Sequence, residues 1–393
     1  MSNPSLKLPE PPAELAELSA QLCTTIVNAI EADGPMSFQR YMAMALYEPG
    51  FGYYVNGLHK FGAAGDFVTA PEHGRLFALA LARQLEPLAS RLGKNWTLME
   101  PGPGSGSLAR DVLSQLRNPP ARYLLLETSA PLREVQRETL SALSEDLRSR
   151  VEWIAAPPDR GFDGAVIANE VIDALPVARF RVGETGIEQA VVTFVDGRLA
   201  WDYAPAEGRV LRAVEQVISD LPQPPGVGYT SEVCVDLPEW LDTVTAPLKR
   251  GMALMIDYGY PRREYYHPDR NDGTLVCHYR HRAHFDPFAW PGLTDLSAFV
   301  DFTAVAEAAQ ACGFEVAGFT SQAGFVLGSG VADQLEQVTD ERDRMRLSGE
   351  LKRLVLPGEM GDKFKVMALV REGDGALGGM PEAFALSDQV DRL

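Results

Sequence analysis

The 393-residue sequence predicts an α/β fold: a largely parallel sheet, a helical N-terminal region ahead of it and an inserted β/α segment. Three observations predict it. From Trp96 onward short apolar runs alternate with segments of helical period, a rhythm that builds parallel strands covered by helices on both faces. Between Val177 and Asp236 that rhythm breaks and then resumes, as an insertion would make it do. Ahead of Trp96 the chain reads as helices joined by a glycine-rich stretch.

The elements follow in order. After a Pro-rich start, Leu15, Leu18, Leu22, Ile26 and Ile30 recur at helical spacing from Glu14 to Ala32, and Asp33-Gly34-Pro35 ends that helix. A short helix around Ser37–Leu46 stops at Glu48-Pro49-Gly50. Phe51–Pro71 carries too much glycine for regular structure, and a helix over Glu72–Arg91 comes next. The alternation then gives a strand at Trp96–Met99, a helix at Ser107–Leu116, a strand at Tyr123–Leu126, a helix at Pro131–Leu147, and strands at Val151–Ile154 and Gly164–Ala168. Inside the insertion, Ala190–Val195 and Leu199–Tyr203 flank Asp196-Gly197, a two-residue hairpin signal. Met252–Asp257, the helix Asp301–Cys312, and strands at Phe314–Thr320 and Phe364–Val370 complete the sheet. The expected organisation is 1–74 (helices and loop), 75–176 (first half of the core), 177–250 (insertion), 251–372 (second half) and 373–393 (a loose Gly-rich tail).

Composition narrows the function. A net charge of -18 argues against nucleic acid, whose phosphates need a basic face. Cys23, Cys234, Cys277 and Cys312 are scattered and form no CxxC pair, which predicts thiols and neither a disulfide frame nor a zinc site. His278, His281 and His284 lie three apart without an accompanying acid pattern and are expected on a loop surface, so no metal is expected. No basic, apolar leader is visible, the first arginine is Arg40, and no apolar run nears the roughly 20 residues of a membrane span. The expected compartment is a bacterial-type cytoplasm, or an organelle matrix if an import signal has been trimmed, with no membrane insertion.

The strongest local signal is Glu100-Pro101-Gly102-Pro103-Gly104-Ser105-Gly106, where a strand delivers a carboxylate into a loop with glycine at every second position. Glycine lets a ligand approach the backbone and supplies the φ values such a turn needs. A dinucleotide loop would place its third glycine at 107, which is Ser107 here. The GxGxG spacing led by an acid suits S-adenosyl-L-methionine, with Glu100 at the amino end of the cofactor. A tight β–α turn holding no ligand is the plain alternative. Glu127 closes the next strand, where an acid can accept both hydrogen bonds of a ribose diol or simply meet solvent. The fourth strand ends in Asn169-Glu170-Val171-Ile172-Asp173, whose acids can orient a cationic nucleophile and take its proton, or merely cap a helix. Gly65-Asp66-Phe67-Val68-Thr69-Ala70-Pro71-Glu72 reads as an active-site loop, or as a cap for the next helix.

Four motifs in order carry a resemblance. Tyr47-Glu48-Pro49-Gly50-Phe51-Gly52-Tyr53-Tyr54, Gly65–Glu72, Glu100–Gly106 and Ala168–Pro176 together resemble the MidA family of class I methyltransferases over about residues 30 to 370. That family includes the mitochondrial arginine methyltransferase needed to assemble respiratory complex I. The resemblance implies a class I, Rossmann-like, seven-stranded methyltransferase sheet, S-adenosyl-L-methionine as cofactor, and an arginine of a complex I type subunit as methyl acceptor, symmetrically dimethylated. Gly102, Gly104, Gly106, Glu100, Glu127 and Thr69 are the expected cofactor residues; Glu170, Asp173, Asn169, Asp66 and Glu72 are the expected catalytic ones. The chain departs from the pattern at His73-Gly74, where Ile-Ser is usual, and at Val171-Ile172, where two phenylalanines are usual. A small-molecule methyltransferase and a cofactor-binding assembly factor without turnover are the rival readings.

Overall fold

The computed structural model describes residues 8–57, 74–372 and 382–393. The chain divides into two compact units: Met1–Phe67 with Asp173–Asp236 and Arg262–Phe299, and Val68–Ile172 with Leu237–Pro261 and Val300–Leu393. Each is built from segments distant in sequence.

The second unit is built around a mixed, mostly parallel sheet. Its strands are β1 (Thr97–Pro101), β2 (Arg122–Leu126), β3 (Val151–Ile154), β4 (Phe162–Asn169), β5 (Leu248–Tyr260), β6 (Glu315–Ser321) and β7 (Phe364–Arg371). They run in the order β6-β7-β5-β4-β1-β2-β3, and a two-residue strand at Val300–Asp301 pairs beside β5 as the eighth. Pairings from β5 to β3 are parallel, while β7 is antiparallel to both β5 and β6. Met252, Leu254 and Ile256 of β5 join the core formed with helices α1 (Arg75–Leu92) and α2 (Ser107–Gln115). The alternate residues Ala253 and Met255 are equally buried and face the opposite side, so this strand reads as one apolar run without alternation.

The helix expected over Pro131–Leu147 is two pieces, α3 (Ala130–Leu140) and a single turn at Glu145–Arg148. Ser144 caps the second turn by accepting from the Leu147 N–H, offering the backbone a partner that continued helix does not. The tail expected to be loose is anchored over its described part. Phe384 is fully buried, and Asp388 and Gln389 bond the two backbone groups of Phe319 on β6, at 3.0 and 2.7 Å. Burial of one large aromatic side chain holds this described end against the sheet.

The first unit holds the helices Ala13–Asp33 and Phe38–Tyr47 against a five-stranded antiparallel sheet. Leu22, Ile26 and Ile30, the buried stripe of the first helix, meet Val192 and Ala190 of the strand Ile187–Val195 in one core. Asp196-Gly197 turns that strand into Arg198–Pro205 with both central φ values positive, as the hairpin signal requires. The stretch read as a loop surface with three histidines is instead a three-stranded sheet of Val276–Tyr279, Arg282–His284 and Asp295–Ser297. His284 is buried within it, and burial lowers the pKa of both His284 and His278. No group of three metal-ligating side chains occurs among the described residues, and none of the described helices is long and apolar enough to cross a membrane.

The hairpin in that small sheet turns through Arg280 and His281, whose φ values of 47° and 60° sit in the left-handed region that Asn and Gly tolerate best. Replacing the pair by Asn-Gly is expected to stabilise the protein by about 1–2 kcal/mol. The check is urea unfolding, in which the midpoint should rise with the slope unchanged.

Candidate active site

The head of the second unit's sheet is where its chemistry gathers. The β1–β4 ladder ends at Met99 opposite Val166, although both strands continue. Glu100 and Pro101 go on pairing with Leu125 and Leu126 of β2, so β1 follows β2 and leaves β4. This is also where the chain reverses its direction of growth across the sheet, from β1-β2-β3 on one side to β4-β5 on the other. Such a crevice at the carboxyl ends of parallel strands is where open α/β sheets bind ligands.

The glycine loop leaves β1 at that point. Gly102, Gly104 and Gly106 have φ values of 62°, 51° and 78°, so each position excludes an ordinary L residue without strain. A Cβ on Gly102 would lie 3.0 Å from Val171, and one on Gly106 would lie 3.3 Å from Gln136. The loop runs into the N-terminus of α2, where the N-cap Gly106 has no side chain and Ser105 Oγ accepts from the Ser107 N–H at 3.4 Å.

Three carboxylates surround this loop or the neighbouring strand ends. Glu100 is buried and accepts a 2.6 Å hydrogen bond from the Tyr123 hydroxyl. Burial pushes its pKa up to about 7, against the pull of that bond. Glu127, at the end of β2, accepts from the Ser129 N–H at 2.7 Å and from Gln136 Nε2 at 3.2 Å. Burial raises its pKa, opposed by those bonds, by the Thr128 N–H and by the Arg133 charge. Asp257 on β5 is fully buried and accepts from the backbone N–H groups of Ile172 and Tyr258. It thereby fixes the turn that leaves β4, a role the sequence reading gave to no residue.

Asn169 closes β4 and Glu170 follows it. The Glu170 N–H donates to Ile256 O at 2.9 Å, and Asn169 Nδ2 donates to Glu170 Oε1 at 3.2 Å. Asn169 Oδ1 is buried without a hydrogen-bond partner among the described residues. Glu170 has φ of 52°, an uncommon conformation for a non-glycine residue and one that clusters at functional sites. Asp173 opens the next segment of the first unit, where burial and then the charges of Asp295 and Asp173 push the Tyr54 hydroxyl well above its usual range. Tyr54 donates to Asp295 at 2.9 Å and stacks on Tyr47, so the Tyr47–Tyr54 motif and Asp173 are neighbours within that unit. Asp66, Thr69 and Glu72 lie outside the described residues.

Residues 80–320 match a family model described as "Putative S-adenosyl-L-methionine-dependent methyltransferase". The chain belongs to the MidA family of S-adenosyl-L-methionine-dependent methyltransferases. It is 38% identical to a Burkholderia thailandensis protein solved bound to S-adenosyl-homocysteine, with a TM-score of 0.89 and coverage of 98% of this chain and 100% of that one. It is 28% identical to a mitochondrial protein arginine methyltransferase of Danio rerio, over 90% of this chain and 88% of the relative. The corresponding human protein is 28% identical over 88% and 82%.

S-adenosyl-L-methionine is the cofactor of this methyltransferase, and the crevice suits it. The glycines of the loop place no side chain of their own between its backbone and a ligand. Glu127 retains acceptor capacity beyond its bonds to Ser129, Gln136 and the Thr128 N–H, and Asn169 brings a buried oxygen that no described residue supplies with a donor.

Glu100 should leave a mark on stability. Below the ordinary value of 4.5 its carboxyl is protonated in folded and unfolded chains alike. Between there and about 7 the unfolded chain releases the proton while the folded one keeps it, so stability falls as pH rises through that window and levels above it. Glu100→Gln removes this penalty. In urea titrations without cofactor, variant minus wild type should rise across the window by up to about 3 kcal/mol. Gly106→Ala, forced to φ 78° against Gln136, should destabilise by about 1–2 kcal/mol and weaken cofactor binding by calorimetry.

Proposed function

We propose that the enzyme transfers a methyl group from S-adenosyl-L-methionine to the guanidinium of a protein arginine, on a respiratory complex I type subunit and in the cytoplasm. The crevice opened where β1 leaves β4, with Glu170 held at its rim in a left-handed conformation, is the observation that carries the reading. The curated relatives named protein arginine methyltransferases, aligned over about nine-tenths of this chain, support the choice of acceptor.

In this reading the core is a class I methyltransferase. Gly102, Gly104 and Gly106 pass beneath the methionine part of the cofactor, Glu100 supplies negative charge for its amino end, and Glu127 accepts from the ribose hydroxyls. The bound cofactor supplies an electrophilic methyl on a sulfonium. Transfer is an in-line displacement, so alignment of the nucleophile provides most of the acceleration. A guanidinium is protonated in water and must shed a proton as it is methylated. A carboxylate fork matches its donors and can take that proton, which is the task assigned to Glu170, with Asn169 steadying it. Asp173 is kept as a second acidic candidate, and Asp66, Thr69 and Glu72 as candidates from the glycine-rich stretch.

Incubation with tritiated S-adenosyl-L-methionine and host-cell extract tests this. The expected result is a labelled protein band that yields methylarginine on hydrolysis. Glu170→Ala should reduce labelling on the order of 10²-fold with cofactor affinity retained, and Gly104→Val should abolish both. Asp173→Ala is scored separately. Label found on metabolites alone would favour a small-molecule methyltransferase; binding without any label would favour an assembly factor.

A further inference from the structure

Gln136 occupies a buried position of α3, one that helical burial usually fills with an apolar residue. Leu132, Gln136 and Leu140 form the buried stripe of α3 at spacing i, i+4, i+8, and the amide in the middle is fully buried. Burying an amide is unfavourable unless its hydrogen bonds are made. Here both sides of the amide are used. Its Nε2 donates to Gly104 O at 2.9 Å and to Glu127 Oε2 at 3.2 Å, and its Oε1 accepts from Trp153 Nε1 at 2.9 Å.

The Trp153 partner fixes which way the amide points. An indole N–H can only donate, so the amide oxygen must face it, and the two amide hydrogens must face the glycine loop and Glu127. The amide therefore donates to Glu127 and favours its charged, accepting form. Its backbone also sets the wall against which the loop closes, 3.3 Å from where a Cβ on Gly106 would stand. One side chain thus touches both halves of the crevice floor.

We propose that Gln136 is a positioning residue for the cofactor, holding the glycine loop and the ribose carboxylate Glu127 in one fixed relation, with Trp153 setting its orientation. The inference rests on the reading of Glu127 as the ribose acceptor given above. Gln136 acts through Gly104 and Glu127 and is not itself assigned a contact with the reacting methyl.

The test is calorimetric titration of the full chain with S-adenosyl-homocysteine at one pH, for wild type, Gln136→Leu, Gln136→Glu, Trp153→Phe, Glu127→Ala and the Gln136→Leu/Glu127→Ala double variant. Gln136→Leu deprives Glu127 and Gly104 of a donor, and affinity should fall about ten- to a hundredfold. Because Gln136 acts partly through Glu127, the double variant should lose less than the product of the two single losses, a coupling that a merely structural change would not give. Gln136→Glu keeps the shape but replaces the donating amide with a carboxyl facing Glu127, and should not rescue binding. Trp153→Phe, which leaves the amide free to turn, should weaken binding several-fold and serves if the Gln136 variants do not fold. Losses that multiply independently in the double variant, or affinities equal to wild type, would overturn the role of Gln136. Unchanged affinity in Glu127→Ala would instead overturn the ribose reading.

Discussion

Two neighbouring strands share a ladder for only part of their length, and the chemistry of the second unit depends on where they part. After Met99 and Val166, β1 stays with β2 while β4 stays with β5. Backbone groups at that divergence have lost the partner a continued ladder would give them, so the site can be polar without breaking the sheet. The glycine loop, Asn169 and Glu170 all issue from it. A fully paired sheet of the same strands would present an edge of loops and no cleft.

Around that divergence the protein buries carboxylates. Each would be costly alone, and each has specific donors: Tyr123 for Glu100, Ser129 and Gln136 for Glu127, two backbone N–H groups for Asp257. The donors differ in consequence. A single phenol leaves Glu100 with a pKa of about 7, whereas Asp257 is tied to the turn that follows β4. Under the proposed placement, a cationic cofactor among these groups would meet carboxyl groups that are already desolvated, which strengthens attraction without reorganising the site.

Much of this was legible in the sequence, for reasons of period and chirality. Strand–helix alternation located β1 to β5, because parallel strands covered by helices on both faces tend to be apolar runs, and the apolar stretches at Phe314–Thr320 and Phe364–Val370 located the antiparallel pair. The glycine spacing located the loop, because only glycine enters the left-handed region three times in five residues. What escaped was polar and long-range. Gln136 looked like one more residue of an amphipathic helix; an amide in the middle of an i, i+4, i+8 apolar stripe was the available signal. Asp257 was read as the end of a strand, since nothing local announces that its carboxylate caps a turn 85 residues earlier. The histidine-bearing stretch reads as a loop from its Tyr, Arg, Phe and Pro content, since strands of three or four residues show too little alternation to announce themselves.

The buried tail has a consequence for colloidal behaviour. Strand β6 ends the sheet, and an unpaired terminal strand is a template on which a second chain can add. Asp388 and Gln389 occupy the N–H and C=O of Phe319 on that strand, and Phe384 is seated against Gly318 beside it, where a Cβ would come within 2.6 Å of its ring. The last dozen residues thus act as a selvedge, finishing the open border of the sheet so that it does not knit to its neighbours.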